Sequence, residues 1–370
     1  MSRRLLAVGE PAPWFTARNP LNAQYAFDTI AGRYVVLSFF GSVGADAGRA
    51  MLQGFFDATG VFDERNAIFF GVSIDPEDER LGRVPTDRTG YQVFWDFDLA
   101  VSKLYGVVDP NEKRAPTYAP ATYILDERLR VLFVLPLDND PVSHAARVLE
   151  VLRRQPAIGP SVPAATQAPI LIVPRIFEPE LCRTLIRYYD DRGGKDSGFM
   201  RDVDGKTVGI YDYSHKRRRD QEIEDANLRA TCMHRIHDRL IPEVHKAFQF
   251  KATRMERYIV ACYEAETGGH FRAHRDDTSK ATAHRRFAVS LVLNTGEFEG
   301  GYVRFPEFGQ QLYTAPAGGA VVFSCSLLHE ATPVTRGKRF VFLPFLYDDA
   351  AAKIRQENMQ FLGDAGTPPA

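Results

Sequence analysis

Residues 268–277 read GGHFRAHRDD, a glycine turn running into a short strand that ends on a histidine and two carboxylates. Successive residues of a strand face opposite ways, so His274 and Asp276 share a face while Asp277 points to the other. Two ligands for one ion can therefore come from a single strand. Around this stretch lie further β-rich runs: RMERYIVACYEA (254–265), RRFAVSLVLNT (285–295), GYVRFPE (301–307), GAVVFSCSL (319–327) and RFVFLPFLY (339–347). Gly, Pro or Asn turn signals separate them, which predicts an antiparallel sandwich or barrel. Two helical patterns precede it, Pro179 to Asp191 and Ile223 to Phe248, and are expected to pack outside.

A site with two histidines and one carboxylate holds Fe(II) on one face and leaves positions open for an oxidisable co-substrate and dioxygen. HRD supplies the first two ligands, and the third is expected from a distant histidine. His329 follows the apolar run GAVVFSCSLL, 55 residues beyond His274 (329 minus 274). Ten residues further, Arg339 opens the last strand. Arginine presents a planar fork of donors that matches a carboxylate bidentately, so Arg339 suits the remote carboxylate of a dicarboxylic co-substrate. HxD alone is a weak signal; its combination with His329 and Arg339 gives it weight.

From about Pro169 to Asp348 the chain resembles the prolyl 4-hydroxylase-like family of Fe(II)/2-oxoglutarate dioxygenases. The matching segments are IFEPELCRTLI (176–186), CYEAETGGHFRAHRDD (262–277), RRFAVSLVLNTGEFEGGYVRFPE (285–307) and HEATPVTRGKRF (329–340). The resemblance implies iron ligands at His274, Asp276 and His329, a co-substrate anchor at Arg339, and a 2-oxoglutarate hydrogen bond from Tyr263. It implies a double-stranded β-helix, or jelly roll, with the metal in its mouth. It further implies Fe(II), 2-oxoglutarate and O2 as the reacting partners, with ascorbate as an added reductant, and release of succinate and CO2 as a substrate C–H bond is hydroxylated. Relatives that halogenate lack the carboxylate that Asp276 supplies, so hydroxylation is the expected outcome. The substrate expected is peptidyl or amino-acid-like, a protein, peptide or small molecule.

Upstream, QPAIGPSVPAATQAP (155–169) carries four prolines and no charge, the composition of a semi-rigid connector. It separates residues 1–155 from 169–370, with 156–168 as linker. The first part alternates β-rich runs with helical patterns: YVVLSFF (34–40), a helix from about Gly48 to Thr59, AIFFGVSID (67–75), a helix near Leu99 to Tyr105, ATYILD (121–126), VLFVLPL (131–137), and HAARVLEVLRR (144–154). This predicts an α/β layer fold. VGEPAPWF (8–15), YVVLSFFGSVGADAG (34–48), GVSIDP (71–76) and APATYILDERLRVLF (119–133) follow the order of the peroxiredoxin-like branch of the thioredoxin fold, which this half resembles. Peroxide reduction needs a thiolate. The position that the resemblance assigns to it falls near Gly48, and all four cysteines, Cys182, Cys232, Cys262 and Cys325, lie in the other half. The family's threonine and arginine are missing at Ala45 and near Pro120, and Pro120 is expected in the cis form that such folds keep there. Thiol peroxidase chemistry is excluded, leaving a scaffold, a homodimerisation surface or a module that presents substrate.

With 46 basic and 47 acidic side chains, no global field draws the chain to nucleic acid or an anionic membrane. The opening MSRRLLAVGEP reaches Gly9 too soon for a signal peptide, and no run approaches the roughly 18 apolar residues of a membrane span, so a cytoplasmic protein is expected. The cysteine spacings suggest neither disulfides nor zinc, and burial is expected for each. His234 and His237 share a helix face but have no evident third ligand; His270 and His284 read as exposed strand-end residues. The run HKRRRD (215–220) reads as a solvated charged segment, with Lys216 and Arg218 as possible substrate contacts through the resemblance. A second reading of the whole, a non-catalytic binding or assembly protein with a vestigial barrel, is opposed by the intact triad.

Overall fold

All eight residues of the first long strand, β1 (Tyr34–Gly41), are buried, because helices cover one face and an aromatic layer the other. Strands covered on both faces read as continuous apolar runs, as this one does. The computed structural model describes residues 4–109 and 117–363 and divides into two units, Met1–Val162 and Pro163–Ala370. In the first unit β1 is followed by α1 (Asp46–Phe56), β2 (Ala67–Ser73), β3 (Tyr91–Trp95), β4 (Ala121–Leu125), β5 (Val131–Pro136) and α2 (Pro141–Arg153). The sheet order is β3-β2-β1-β4-β5, parallel from β3 to β1 and antiparallel from β1 to β5. This is the thioredoxin-like arrangement expected, with β3 as a strand that the sequence reading did not include. Val35, Leu37 and Phe39 join Phe27, Phe94 and Tyr105 on one face, while Val36 and Phe40 meet α1 and α2 on the other.

The start of α1 is where a redoxin would carry its thiol. A Cβ on Gly48 would lie 2.2 Å from the Ser42 carbonyl oxygen and 2.7 Å from that of Phe40, so backbone fills the space. The preceding loop is bound to carboxylates: Ser42 Oγ donates to Asp75 at 2.7 Å and the Val43 amide to Asp78 at 3.0 Å. A nearby carboxylate disfavours a thiolate. Pro120 enters β4 through an ordinary peptide bond, since all peptide bonds among the described residues are trans; its carbonyl accepts from Leu137. Both ends of the proline-rich stretch are tied down, Pro156 to Tyr34 and Ile158 to Asn66 in the first unit, Ala168 to Tyr313 in the second.

The second unit opens with β6 (Leu171–Val173) and α3 (Pro179–Arg192), then a hairpin of β7 (Phe199–Val203) and β8 (Lys206–Ile210). Two short strands follow, β9 (Lys216–Arg217) and β10 (Arg219–Glu222), before α4 (Ala226–Arg239) and α5 (Ile241–Phe248). The single helix expected over 223–248 is broken at Leu240, because Pro242 cannot continue the hydrogen-bond ladder. The strands are β11 (Arg254–Glu256), β12 (Ile259–Glu264), β13 (His270–His274), β14 (Phe287–Val292), β15 (Val303–Arg304), β16 (Leu312–Tyr313), β17 (Ala320–Ser324), β18 (His329–Ala331), β19 (Lys338–Phe342) and β20 (Phe345–Tyr347), closed by α6 (Asp349–Asn358).

They form a jelly roll. A five-stranded sheet runs β9-β13-β18-β15-β16, and a larger one contains β11-β20-β14-β19-β12-β10 with β17 paired to β14 and β6 to β17. In the larger sheet Val260, Cys262, Leu291, Phe340 and Phe342 face Leu185, Tyr189, Cys232 and Ile236 of the helices. Their alternates Ala261, Tyr263, Val292 and Val341 face inward, with Phe271 of the other sheet. All four cysteines are free and buried. No helix among the described residues is long and apolar enough to cross a membrane.

The crowding at Gly48 has a measurable result. Gly48→Cys should lower the stability of the first unit by about 1–3 kcal/mol through overpacking and give no peroxide turnover. Calorimetry with a peroxide-consumption assay checks this; an unmoved thermal transition together with peroxidase activity would reject it.

Candidate metal centre and the cavity around it

His274 and His329 are placed by strand pairing. Antiparallel β13 and β18 set them directly opposite each other, with ring centroids 4.3 Å apart. Each ring is turned the same way: His274 Nδ1 lies 2.7 Å from the Arg272 carbonyl and His329 Nδ1 2.9 Å from that of Leu327. A carbonyl only accepts, so Nδ1 carries the hydrogen and the Nε2 lone pair is left free for a ligand role. Both Nε2 atoms point at Asp276, 3.6 Å from Oδ1 and 3.3 Å from Oδ2. The three side chains offer ligand atoms within 4.8 Å of one another, and they form the only group of three metal-capable side chains among the described residues.

Asp276 does not stand on the strand. β13 ends at His274, and Asp276 lies in the bend beyond, where its amide donates to the Cys325 carbonyl at 2.9 Å. Strand alternation is thus not what turns it inward; that tether is. Asp277 is turned aside, its carboxylate accepting from Ser326 Oγ. Burial pushes the His329 imidazole down to about 4, which keeps it neutral, as a metal ligand must be. Burial works against the Asp276 carboxylate, yet His329, His274 and Arg285 outweigh it and hold the carboxyl below its usual range. Two imidazoles locked by their carbonyl partners and one carboxylate suit Fe(II).

The triad opens on a cavity of about 700 Å³ between the two sheets. Tyr263 and Arg339 are cross-strand neighbours on β12 and β19, and the guanidinium lies 5.1 Å from the Tyr263 ring. Arg339 is 3% exposed, donates to Ser290 Oγ at 2.8 Å, and has no carboxylate partner among the described residues. Gly301, not singled out from the sequence, makes room for it: a Cβ there would sit 2.8 Å from Arg339 Cδ. The GG pair in EFEGGYVRF was the available signal.

The run at 215–220 is solvated on one side only, with Arg217 and Arg219 exposed. Lys216 and Arg218 are buried and line the cavity, because β9 pairs with the edge of β13 and lays Lys216 over Phe271, its Nζ 4.8 Å from the ring. Phe271 in turn stacks on His274, centroids 3.5 Å apart. His284 is also buried rather than exposed, with Nε2 3.0 Å from Glu256. His270 sits at the start of β13 bonded to the Gly268 carbonyl; His234 and His237 are exposed on α4, the latter beside Asp238.

Comparison with known proteins finds a family match in each of the two units. Residues 258–347 match the 2OG-Fe(II) oxygenase superfamily and residues 8–134 the AhpC/TSA family, so the chain joins an AhpC/TSA-type domain to a 2OG-Fe(II) oxygenase domain, a superfamily that implies Fe(II) and 2-oxoglutarate. Among individual proteins, a PKHD-type hydroxylase of Thioalkalivibrio sulfidiphilus is 24% identical over 178 residues, 46% of this chain and 74% of that protein. Peroxiredoxin 2 of Caldanaerobacter subterraneus is 25% identical over 189 residues, 48% of this chain and 85% of that one. A solved Pseudomonas putida prolyl-4-hydroxylase aligns at 20% identity and a TM-score of 0.38, over 48% of this chain and 92% of its own.

Glu256 supports the centre from behind. It receives His284, Arg285 at 2.8 Å and Arg355 at 3.3 Å, and Arg285 in turn reaches the Asp276 carbonyl at 3.4 Å. Burial would raise the Glu256 carboxyl, but His284 and Arg285 bring it down to about 2. A depressed carboxyl stabilises the fold fully above its unfolded value near 4.5 and loses that contribution as pH falls toward 2. Glu256→Gln should therefore cost about 3 kcal/mol at pH 7, with the gap from wild type closing between pH 4.5 and 2. Denaturant titrations across that range check it; a pH-independent gap would contradict it.

Proposed function

We propose that the second unit is an Fe(II)/2-oxoglutarate-dependent dioxygenase that hydroxylates a C–H bond of a peptidyl or amino-acid-like substrate. The observation that carries this reading is the pair of locked imidazoles converging on one carboxylate beside a buried, carboxylate-free arginine. His274, Asp276 and His329 would hold the iron. Arg339, steadied by Ser290, would take the remote carboxylate of 2-oxoglutarate as a bidentate fork, with Tyr263 beside it. Iron and 2-oxoglutarate, when bound with O2, supply an oxidant by decarboxylating the keto acid to succinate and CO2; ascorbate would serve as auxiliary reductant. The protein's own share is orientation and enclosure: Arg272 and Leu327 fix the tautomers, Cys325 fixes Asp276, and Val303, Phe323 and Phe345 give the cavity an apolar wall.

The redoxin-like unit, with no cysteine, is read as a scaffold, a dimerisation surface or a partner module. Four free, buried cysteines suit a reducing compartment, which favours the cytoplasm. A vestigial barrel would have no use for two histidines held in one tautomer toward one carboxylate.

The test is succinate formation from 2-oxoglutarate with Fe(II) added. His274→Ala should reduce it to background. Arg339→Gln should raise the KM for 2-oxoglutarate by roughly tenfold to a hundredfold, the loss of a charge-assisted pair, while Fe(II) affinity stays within about twofold. Iron-dependent succinate formation that survives His274→Ala would sink the reading.

A further inference from the structure

The cavity holds more positive charge than its candidate metal centre and co-substrate site use. Lys216 and Arg218 are buried in its wall, and Arg257 is half-buried beside them. One carboxylate faces all three. Asp220 accepts from Arg218 at 2.7 Å and from Arg257 at 3.3 Å, while Lys216 Nζ reaches only Ser197 Oγ, at 2.8 Å, and the Gly198 carbonyl. Of the other charged groups along the cavity, Glu330 pairs with Arg304, and Asp202, bonded to the Thr207 hydroxyl and the Lys280 amide, is matched in number by Arg201. Arg275 and Arg285, the remaining paired cations, have Glu307 and Glu256.

The candidate metal centre, by contrast, balances. Two charges of iron and one of Arg339 would meet one of Asp276 and two of the dicarboxylate. Arg218, Arg257 and Lys216 against Asp220 leave one positive charge unmatched with Lys216 neutral and two with it protonated, in a wall where unpaired charge is costly. Arg257 adds strain, holding a left-handed φ of 66° between β11 and β12. Burial, and then the neighbouring Arg218, push the Lys216 ammonium well below its usual value, as for a cation without its counter-ion. The group is close to the triad, since Lys216 covers Phe271 and Phe271 stacks on His274.

We propose that Lys216, Arg218 and Arg257 seat a carboxylate of the primary substrate, so that the molecules oxidised are amino acids or peptides carrying a free carboxylate near the reacting C–H bond. This rests on the oxygenase reading above. The carboxylate is an α-carboxylate or an acidic side chain, and the experiment separates the two.

The full chain, loaded anaerobically with Fe(II) and 2-oxoglutarate, is mixed with tripeptide libraries in free-acid form, C-terminally amidated form, and each form without Asp and Glu. The bound fraction after ultrafiltration is read by mass spectrometry. Retention of carboxylate-bearing peptides at least tenfold above those with none is expected; free-acid preference assigns the α-carboxylate, and retention of amidated peptides only when they contain Asp or Glu assigns the side chain. Lys216→Met, or Arg257→Gln should that variant not fold, should erase the preference while 2-oxoglutarate affinity stays within twofold. Equal retention of all libraries, retention of none, or a tenfold loss of 2-oxoglutarate affinity in these variants overturns the proposal. Failure of the wild-type chain to bind 2-oxoglutarate is a different result, and overturns the oxygenase reading itself.

Discussion

Two backbone carbonyls, those of Arg272 and Leu327, decide which way the rings of His274 and His329 face. Each holds the Nδ1 hydrogen of the histidine two residues on, and each stands on, or just before, one of two paired strands. Without that pairing the rings would not oppose each other, and without the carbonyls their free nitrogens would not converge. The geometry of the centre is thus written in backbone, which side-chain substitution at a distance does not easily disturb. The facing sheet contributes through its pleat: the alternation that sends Cys262, Leu291 and Phe340 toward the helices sends Tyr263, Ser290 and Arg339 into the cavity.

Charge inside the barrel is organised around three carboxylates with different duties. Asp276 belongs to the imidazoles. Glu256 gathers His284, Arg285 and Arg355 and so links α6 to the bend that carries Asp276. Asp220 is outnumbered by the cations that face it. The first two are the ends of satisfied networks, in which removing one partner leaves a buried charge behind; the third leaves room for a further anion.

Most of the strands were legible because their apolar runs and turn residues are strong local signals, and the triad was legible as HRD followed at a distance by His329 and Arg339. Strand alternation singles out Asp276 over Asp277 in the sequence, whereas in the structure Asp276 lies past the strand and is turned toward the two imidazoles by its amide bond to Cys325. The hairpin at 199–210 carried no period, since FMRDV and KTVGI are mixed and mostly exposed or half-exposed. HKRRRD looked solvated because composition does not reveal pairing: it is the edge of β13 that draws Lys216 inward over Phe271. The break at Leu240 was visible in Pro242, and the burial of His284 was not, because Glu256 is distant in sequence.

Gly48 stands where the resemblance to peroxiredoxins puts a thiol, at a place this chain fills with backbone. The space that a side chain would need there is occupied by the carbonyls of Phe40 and Ser42, and the loop leading to it is clasped by Asp75 and Asp78. A return to thiol chemistry would need the loop rebuilt before the cysteine arrived, and neither step is of use alone. The two obstacles are coupled: the packing that closes this face to a thiol is the same packing that holds the loop in place.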